Sequence, residues 1–338
     1  EGRMVVPMFL FSEIMGHEDI KEHLQNAISL GKTSHAYIIS GEKDAGKMML
    51  AEAFAETLLC QEQGKDACGM CHSCKQCQSH NHPDIRYVSH EKPNTISVED
   101  IRQQINNDIV IKPYASEYKI YIMDEAEKMN KAAQNALLKT IEEPPQYAIL
   151  FLLTTNAAGF LPTILSRCVT LELKPIAADI IRKELMEHHN MPDYQADICA
   201  QFAQGNLGKA IKLASSDEFN EMKSHMTSLM RRMEKMDIFD ISQAVKDLET
   251  YKPKIQDYLD LMNIWFRDVL LYKATGDESK ITFQDEKMII KRLATECSYH
   301  GLDTIIQAQR TARRRIACNG NYNLAIELML LSIKENIA

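Results

Sequence analysis

Five cysteines are crowded between residues 60 and 77, spaced Cys60-x7-Cys68-x2-Cys71-x2-Cys74-x2-Cys77. Two or more C-x2-C steps with one more distant thiolate satisfy the tetrahedral, sulfur-rich coordination of zinc. Five thiols compete for four positions, so the spacing leaves one spare, and His72, His80 and His82 offer alternative nitrogens. An iron–sulfur cluster is the rival. Bacterial ferredoxins carry C-x2-C-x2-C completed by C-x3-C-P, whereas here the run ends in C-x2-C without proline. Zinc is the expected metal. With no open ligand position its role is structural, holding together an excursion too small to own a core.

A second constellation is built for phosphate. Gly41-Glu42-Lys43-Asp44-Ala45-Gly46-Lys47 follows the apolar run Ala36–Ile39 and precedes a helical stretch, the context in which a glycine-rich loop turns backbone N–H groups toward phosphate. Gly41, Gly46 and Lys47 are its binding candidates. The next position calls for a Ser or Thr hydroxyl to bind magnesium, but Met48 stands there, and a thioether is a poor ligand for a hard cation. Ile120–Met123 then ends in Asp124-Glu125, the form of a Walker B strand. In such a strand the first acid supports magnesium and the second orients an attacking water. Ser166-Arg167-Cys168 has no specificity in isolation, although a guanidinium is always charged and can hold two phosphate oxygens.

The elements that must position these residues read as an α/β unit followed by an all-helical one. Ala36–Ile39, Ile85–Val88, Lys119–Met123, Ala148–Leu153 and Val169–Leu173 are candidate strands, alternating with helical stretches as in a parallel sheet covered on both faces. Ser97 with Asp100 forms a helix N-cap pattern, with Val98, Ile101 and Ile105 at helical spacing, and a helix over Asn130–Glu142 stops at Pro144-Pro145. No convincing strand follows Lys174-Pro175. The expected divisions are a base over residues 1–175 with the cysteine module near 60–80, a small helical lid over 176–216, and a helical domain over 217–338. In the last, Ile255, Tyr258, Leu259, Met262, Phe266, Val269 and Leu270 form one stripe, and Leu324, Leu328 and Leu331 another; both are expected to be core.

The chain of 338 residues is 45 % apolar and 25 % charged, which excludes wholesale disorder and leaves room for two or three domains. Its 39 basic against 47 acidic side chains give a net charge of −8, which excludes binding nucleic acid by bulk charge. DNA contact would have to be local. Arg310, Arg313, Arg314 and Arg315 form one basic cluster, and Lys128, Lys131 and Lys139 lie on or near the Asn130–Glu142 helix. No apolar run reaches the roughly 20 residues of a membrane span. Met4–Phe11 lacks the cleavage pattern of a signal peptide, and Glu1-Gly2-Arg3 reads as an expression remnant. Clustered thiols point to a reducing compartment, the cytoplasm by default.

Taken together these motifs resemble the delta-prime family of subunits of the bacterial DNA polymerase III clamp loader, within the AAA+ proteins. The resemblance runs from Phe11 to about Leu213 through His35-Ala36-Tyr37, the P-loop, the cysteine-rich insertion, His82-Pro83-Asp84, Asp124-Glu125-Ala126, Gln134–Lys139, Glu142-Glu143-Pro144-Pro145 and Ser166-Arg167-Cys168. It continues more loosely through Trp265–Asp268 and Asn323–Glu327. It implies a RecA-like AAA+ base with a zinc-binding insertion, a helical lid and a helical collar for oligomerisation. It also implies zinc on Cys60, Cys68, Cys71 and Cys74, with Cys77 extra, and an arginine finger at Arg167 acting in trans.

The implied function is clamp loading in DNA replication, within a DNA-directed DNA polymerase (nucleotidyltransferase) holoenzyme, without catalysis by the isolated chain. The implied partners are the gamma/tau motor and delta subunits in a hetero-pentamer, the sliding clamp, and primed DNA reached through the complex, with no membrane. Met48, and Gly208 where hydrolysing relatives carry a sensor arginine, fit a passive role. Lys47, Asp124 and Glu125 persist, so ATP and magnesium binding in its own site stays open. An autonomous AAA+ ATPase, and an iron–sulfur or nucleic-acid module built on the cysteines, are the alternatives.

Overall fold

The computed structural model describes residues 10–90 and 92–337; the readings placed on residues 1–9 lie outside them. The chain divides into two compact units, one up to Ile176 together with Asn206–Gly208, the other comprising Ala177–Gly205 and the residues from Lys209 onward.

The first unit contains, in chain order, α1 (Glu18–Ser29), β1 (Ala36–Ser40), α2 (Lys47–Leu59), α3 (His72–Gln78), β2 (Ile85–Val88), α4 (Val98–Ile101), β3 (Lys119–Met123), α5 (Lys131–Glu142), β4 (Ala148–Thr154), α6 (Pro162–Leu165) and β5 (Val169–Glu172). The five strands form one sheet in the order β2-β3-β4-β1-β5, and every pairing is parallel. The expected strands agree with the observed ones to within one residue at their ends. The sheet is buried on both faces, so its central strands are continuous apolar runs rather than alternating ones. Tyr37, Ile39, Ile120, Ile122, Phe151 and Leu153 pack with Leu24 of α1 and Leu50 and Phe54 of α2. Ile38, Tyr121, Met123, Leu150 and Leu152 pack on the opposite face with Ala133, Leu137 and Ile141 of α5. On the first face the rings of Tyr37, Phe54 and Phe151 meet at centroid distances of 5.1–5.5 Å.

Local signals place the helix ends. Ser97 and Asp100 form a reciprocal capping box at the start of α4, after which Arg102–Asn106 continue as a π-helical turn. The Asn130 side chain accepts from the Ala133 N–H at 2.8 Å to start α5. The buried Asp84 carboxylate fixes the segment entering β3. It accepts from the N–H groups of Tyr114 (2.5 Å), Ala115 (2.8 Å) and Ser116 (2.9 Å) and from the Ser116 hydroxyl (2.7 Å).

The second unit is helical throughout its described residues: α7 (Ala178–Glu187), α8 (Asp193–Ala203), most of α9 (Leu207–Ala214), α10 (Asp217–Arg232), α11 (Ile238–Leu248), α12 (Ile255–Thr275), α13 (Lys287–Glu296), α14 (Tyr299–Ala317) and α15 (Tyr322–Ile337). The α12 stripe is inward as expected, with Leu270 half-buried at its end. The α15 stripe is a correction. Leu324 and Leu328 are 52 % and 44 % exposed, and Leu331 is only half-buried. The buried face is Tyr322, Ala325, Ile326, Met329, Leu330, Ile333 and Ile337. Asn323–Ile333 is apolar nearly all round, so helical spacing fits two faces and cannot choose between them.

Replacing Asp84 with Ala leaves three backbone N–H donors without their acceptor and should lower the unfolding free energy in urea by about 2–4 kcal/mol. Burial opposes ionisation of Asp84, but the backbone and Ser116 donors outweigh it and hold the carboxyl below its usual range. Its contribution is therefore present above the unfolded carboxyl pKa of about 3.9 and is lost as pH falls through the lower folded value. The stability difference between wild type and D84A should narrow on acidification.

Candidate functional site

Parallel pairing of β1 with both β4 and β5 places the loop after β1 at the carboxyl edge of the sheet, where open α/β sheets bind ligands. Gly41 is required by close approach, since a Cβ there would lie 2.9 Å from the Leu173 Cβ. Gly46, the N-cap of α2, adopts φ +94°, a backbone conformation that favours glycine. Lys47 begins α2 and is buried, and its ammonium donates to Gly41 O (2.8 Å) and Glu42 O (2.6 Å). Burial lowers its pKa, opposed by the charges of Asp124, Glu127, Asp44 and Glu42. The structure thus brings the glycine loop and the acids after β3 into one electrostatic site. Met48 turns onto the apolar core beside α2 instead of presenting a hard ligand.

The two acids that follow β3 differ in their surroundings. Asp124 is exposed, and its Oδ1 accepts from the Glu125 N–H at 2.9 Å. Glu125 adopts φ +51° and pairs with Lys128 Nζ at 2.5 Å, with His90 Nε2 at 3.6 Å; the Lys128 hydrogen bond is the main cause that holds its carboxyl below the usual range. Lys128 also donates to Pro93 O at 2.6 Å, so it is engaged within the chain. Glu127 was missed in the sequence reading: it accepts from the Thr155 hydroxyl at 2.7 Å and faces Lys47 electrostatically. The polar Thr154-Thr155-Asn156 closing β4 was its available signal. Asn206 and Gly208 belong to this unit as well. Asn206 Nδ2 donates to Lys43 O at 2.7 Å, and a Cβ on Gly208 would stand 2.2 Å from Asp44 O, so no side chain fits there in this arrangement.

Arg167 follows α6 and pairs with a different set of residues. Its Nη2 pairs with Glu142 Oε1 at 3.1 Å, and its Nη1 donates to Thr163 O (3.0 Å) and Ser166 Oγ (3.3 Å). The Arg167 side chain is 40 % exposed. Of the α14 arginines, Arg313 pairs with Asp260 at 2.5 Å, whereas Arg310, Arg314 and Arg315 are exposed.

The sulfurs of Cys60, Cys68, Cys71 and Cys74 lie within 4.8 Å of one another. Four sulfurs at about 2.3 Å from a tetrahedral zinc would stand roughly 3.8 Å apart, and Cys68 and Cys74 are 3.9 Å apart. The donor set fits a structural zinc. Backbone N–H groups point at three of the sulfurs, from Cys68 to Cys60 (3.3 Å), Cys71 to Cys68 (3.4 Å) and Cys74 to Cys71 (3.4 Å). Burial opposes ionisation of Cys71, but the N–H groups of Cys74 and Gln61 and the neighbouring thiols outweigh it and bring the thiol down to about 7. Cys77 is outside the group, and burial, then the Glu56 charge, push its thiol up to about 12. The alternative nitrogens are outside it too: His80 Nδ1 meets the Tyr87 hydroxyl at 3.1 Å, His82 Nδ1 accepts from the Asp84 N–H at 3.2 Å, and His72 is exposed.

Two family descriptions match the chain, "DNA polymerase III, delta subunit" over residues 16–177 and "DNA polymerase III, delta subunit, C terminal" over residues 216–335. The chain is 30 % identical over 316 residues to DNA polymerase III subunit delta' of Bacillus subtilis, covering 92 % of this chain and 94 % of that protein. It is 33 % identical over 210 residues to DNA polymerase III subunit tau of Escherichia coli, covering 60 % of this chain and 32 % of that protein. A solved structure of a DNA polymerase III gamma subunit-related protein from Thermotoga maritima aligns with 94 % of this chain and 99 % of its own at 17 % identity, with a TM-score of 0.47.

The cysteine module makes a direct prediction. Purified protein should be colourless and carry one zinc per chain by elemental analysis. Replacing Cys74 with Ala should release the metal and lower the melting temperature by about 5–10 °C. A brown, iron-containing preparation would transfer the site to a cluster.

Proposed function

The chain belongs to the delta' family of DNA polymerase III subunits, and from that premise we propose that this clamp-loader subunit is a non-hydrolysing member of the ring that lends Arg167 to the ATP site of a neighbouring subunit. The observation that carries this reading is the side chain at position 48. Met48 stands where magnesium needs a hydroxyl and packs onto the apolar core, next to Lys47, whose ammonium donates to the carbonyls of Gly41 and Glu42. Glu125, the acid suited to orienting water, is tied to Lys128 and His90. Gly208 offers no side chain to a phosphate. Arg167 keeps a permanent positive charge at an exposed position.

In this reading Arg167 supplies charge where a neighbour's γ-phosphate becomes more negative, the role in which fingers are worth about 10³–10⁵ in rate. Gly41, Gly46, Lys47, Asp124 and Glu125 are a degenerate nucleotide site whose chemistry has moved to the partner. Cys60, Cys68, Cys71 and Cys74 hold a structural zinc. The unit built on the sheet serves as the base, residues 176–216 as the lid and 217–338 as the collar. The partners are the gamma/tau and delta subunits, with the sliding clamp and primed DNA reached through the complex in the cytoplasm.

Changing Arg167 to Ala should leave folding and assembly intact while lowering clamp- and DNA-stimulated ATPase of the reconstituted loader. At the served site the loss should approach the roughly 10³-fold worth of a finger. Undiminished turnover would remove the assignment. The purified chain alone should show no magnesium-dependent ATPase, and robust turnover by it would favour an autonomous motor.

A further inference from the structure

We propose that Glu142 is a positioning residue for Arg167, holding the guanidinium in a stowed state that must open before the arginine serves a neighbouring ATP site. The inference rests on the in-trans reading above and extends it to a residue that reading does not use. Both terminal nitrogens of Arg167 are occupied within the chain, Nη2 by the Glu142 carboxylate at 3.1 Å and Nη1 by Thr163 O and Ser166 Oγ at 3.0 and 3.3 Å. Thr163 and Ser166 lie within four residues of the arginine and travel with it. Glu142 comes from a separate part of the chain, the last residue of α5, so of these three partners it is the one that ties the guanidinium to a helix other than the α6 turn just before it.

Two electrostatic arguments give this pair a purpose beyond holding the surface together. A carboxylate on the last turn of a helix faces the negative end of the helix dipole, an unfavourable place that the Arg167 charge offsets. A guanidinium paired with a carboxylate also presents no net charge. Stabilising a triphosphate that gains negative charge requires a net positive group, and a carboxylate left beside it would repel it. The pair must therefore exchange for phosphate on engagement. Because the two side chains are 40 % and 46 % exposed, the exchange is easy, an exposed pair of this kind being worth at most about a five-fold equilibrium. That is strong enough to bias the resting position and weak enough to yield to a triphosphate.

The test compares four loaders, each reconstituted with all its partner subunits: wild type, E142Q, R167A and the double variant. With neither clamp nor primed DNA present, E142Q should raise kcat for ATP about two- to five-fold with KM unchanged. The double variant should be as slow as R167A, because Glu142 acts only through the arginine. The melting temperature of the E142Q chain should be equal to or slightly above that of wild type, since an acid has left a helix C-terminus. An unchanged or lowered kcat in E142Q, with R167A still impaired, would overturn the stowing role and leave the in-trans reading standing. An R167A loader as active as wild type would overturn both.

Discussion

The pairing of β1 between β4 and β5 is the constraint on which the rest of the first unit depends. It puts the loop after β1, the acids after β3 and the threonines after β4 along one edge of a sheet whose strands all run the same way. The charges of Asp124 and Glu127, about 80 residues away in sequence, then act on Lys47 together with those of Asp44 and Glu42 from its own loop. This layout follows from residues that do no chemistry. The sheet is held by Tyr37, Phe54 and Phe151 on one face and by Leu150, Leu152 and Leu137 on the other. Their burial fixes the register, and a shift of one residue would turn each strand's side chains to the wrong layer.

Within that frame the groups of the loop after β1 and of the turn after β3 have partners inside the chain. The Lys47 ammonium donates to carbonyls of its own loop, Glu125 is held by Lys128, and Met48 joins the core. Arg167 is in a different condition. Its partners are an exposed carboxylate and two local oxygens. On the proposed reading, such a chain completes a site it does not own.

Much of this was legible in the sequence where local chemistry decides. The β-branched and aromatic runs gave all five strands, Asn130 and Ser97 marked helix starts, and the C-x2-C steps singled out the sulfur group. Which thiol is spare was open to spacing alone, because Cys74 and Cys77 both lie on α3, one turn apart, and only folding decides which joins the other three. The α15 stripe misled because an almost wholly apolar helix has no unique inward face. Glu127 and the Glu142–Arg167 pair were invisible for another reason: each depends on a side chain meeting a partner about 25–30 residues away across an element boundary, which no local pattern records.

The central claim is that Arg167 acts on a triphosphate belonging to another subunit. The most direct measurement is a structure of the assembled loader holding a non-hydrolysable ATP analogue and magnesium. The account predicts the Arg167 guanidinium at hydrogen-bond distance, about 3 Å, from the γ-phosphate in the adjoining subunit, with its contact to Glu142 broken. A finger still paired with Glu142 and remote from every bound nucleotide would contradict it.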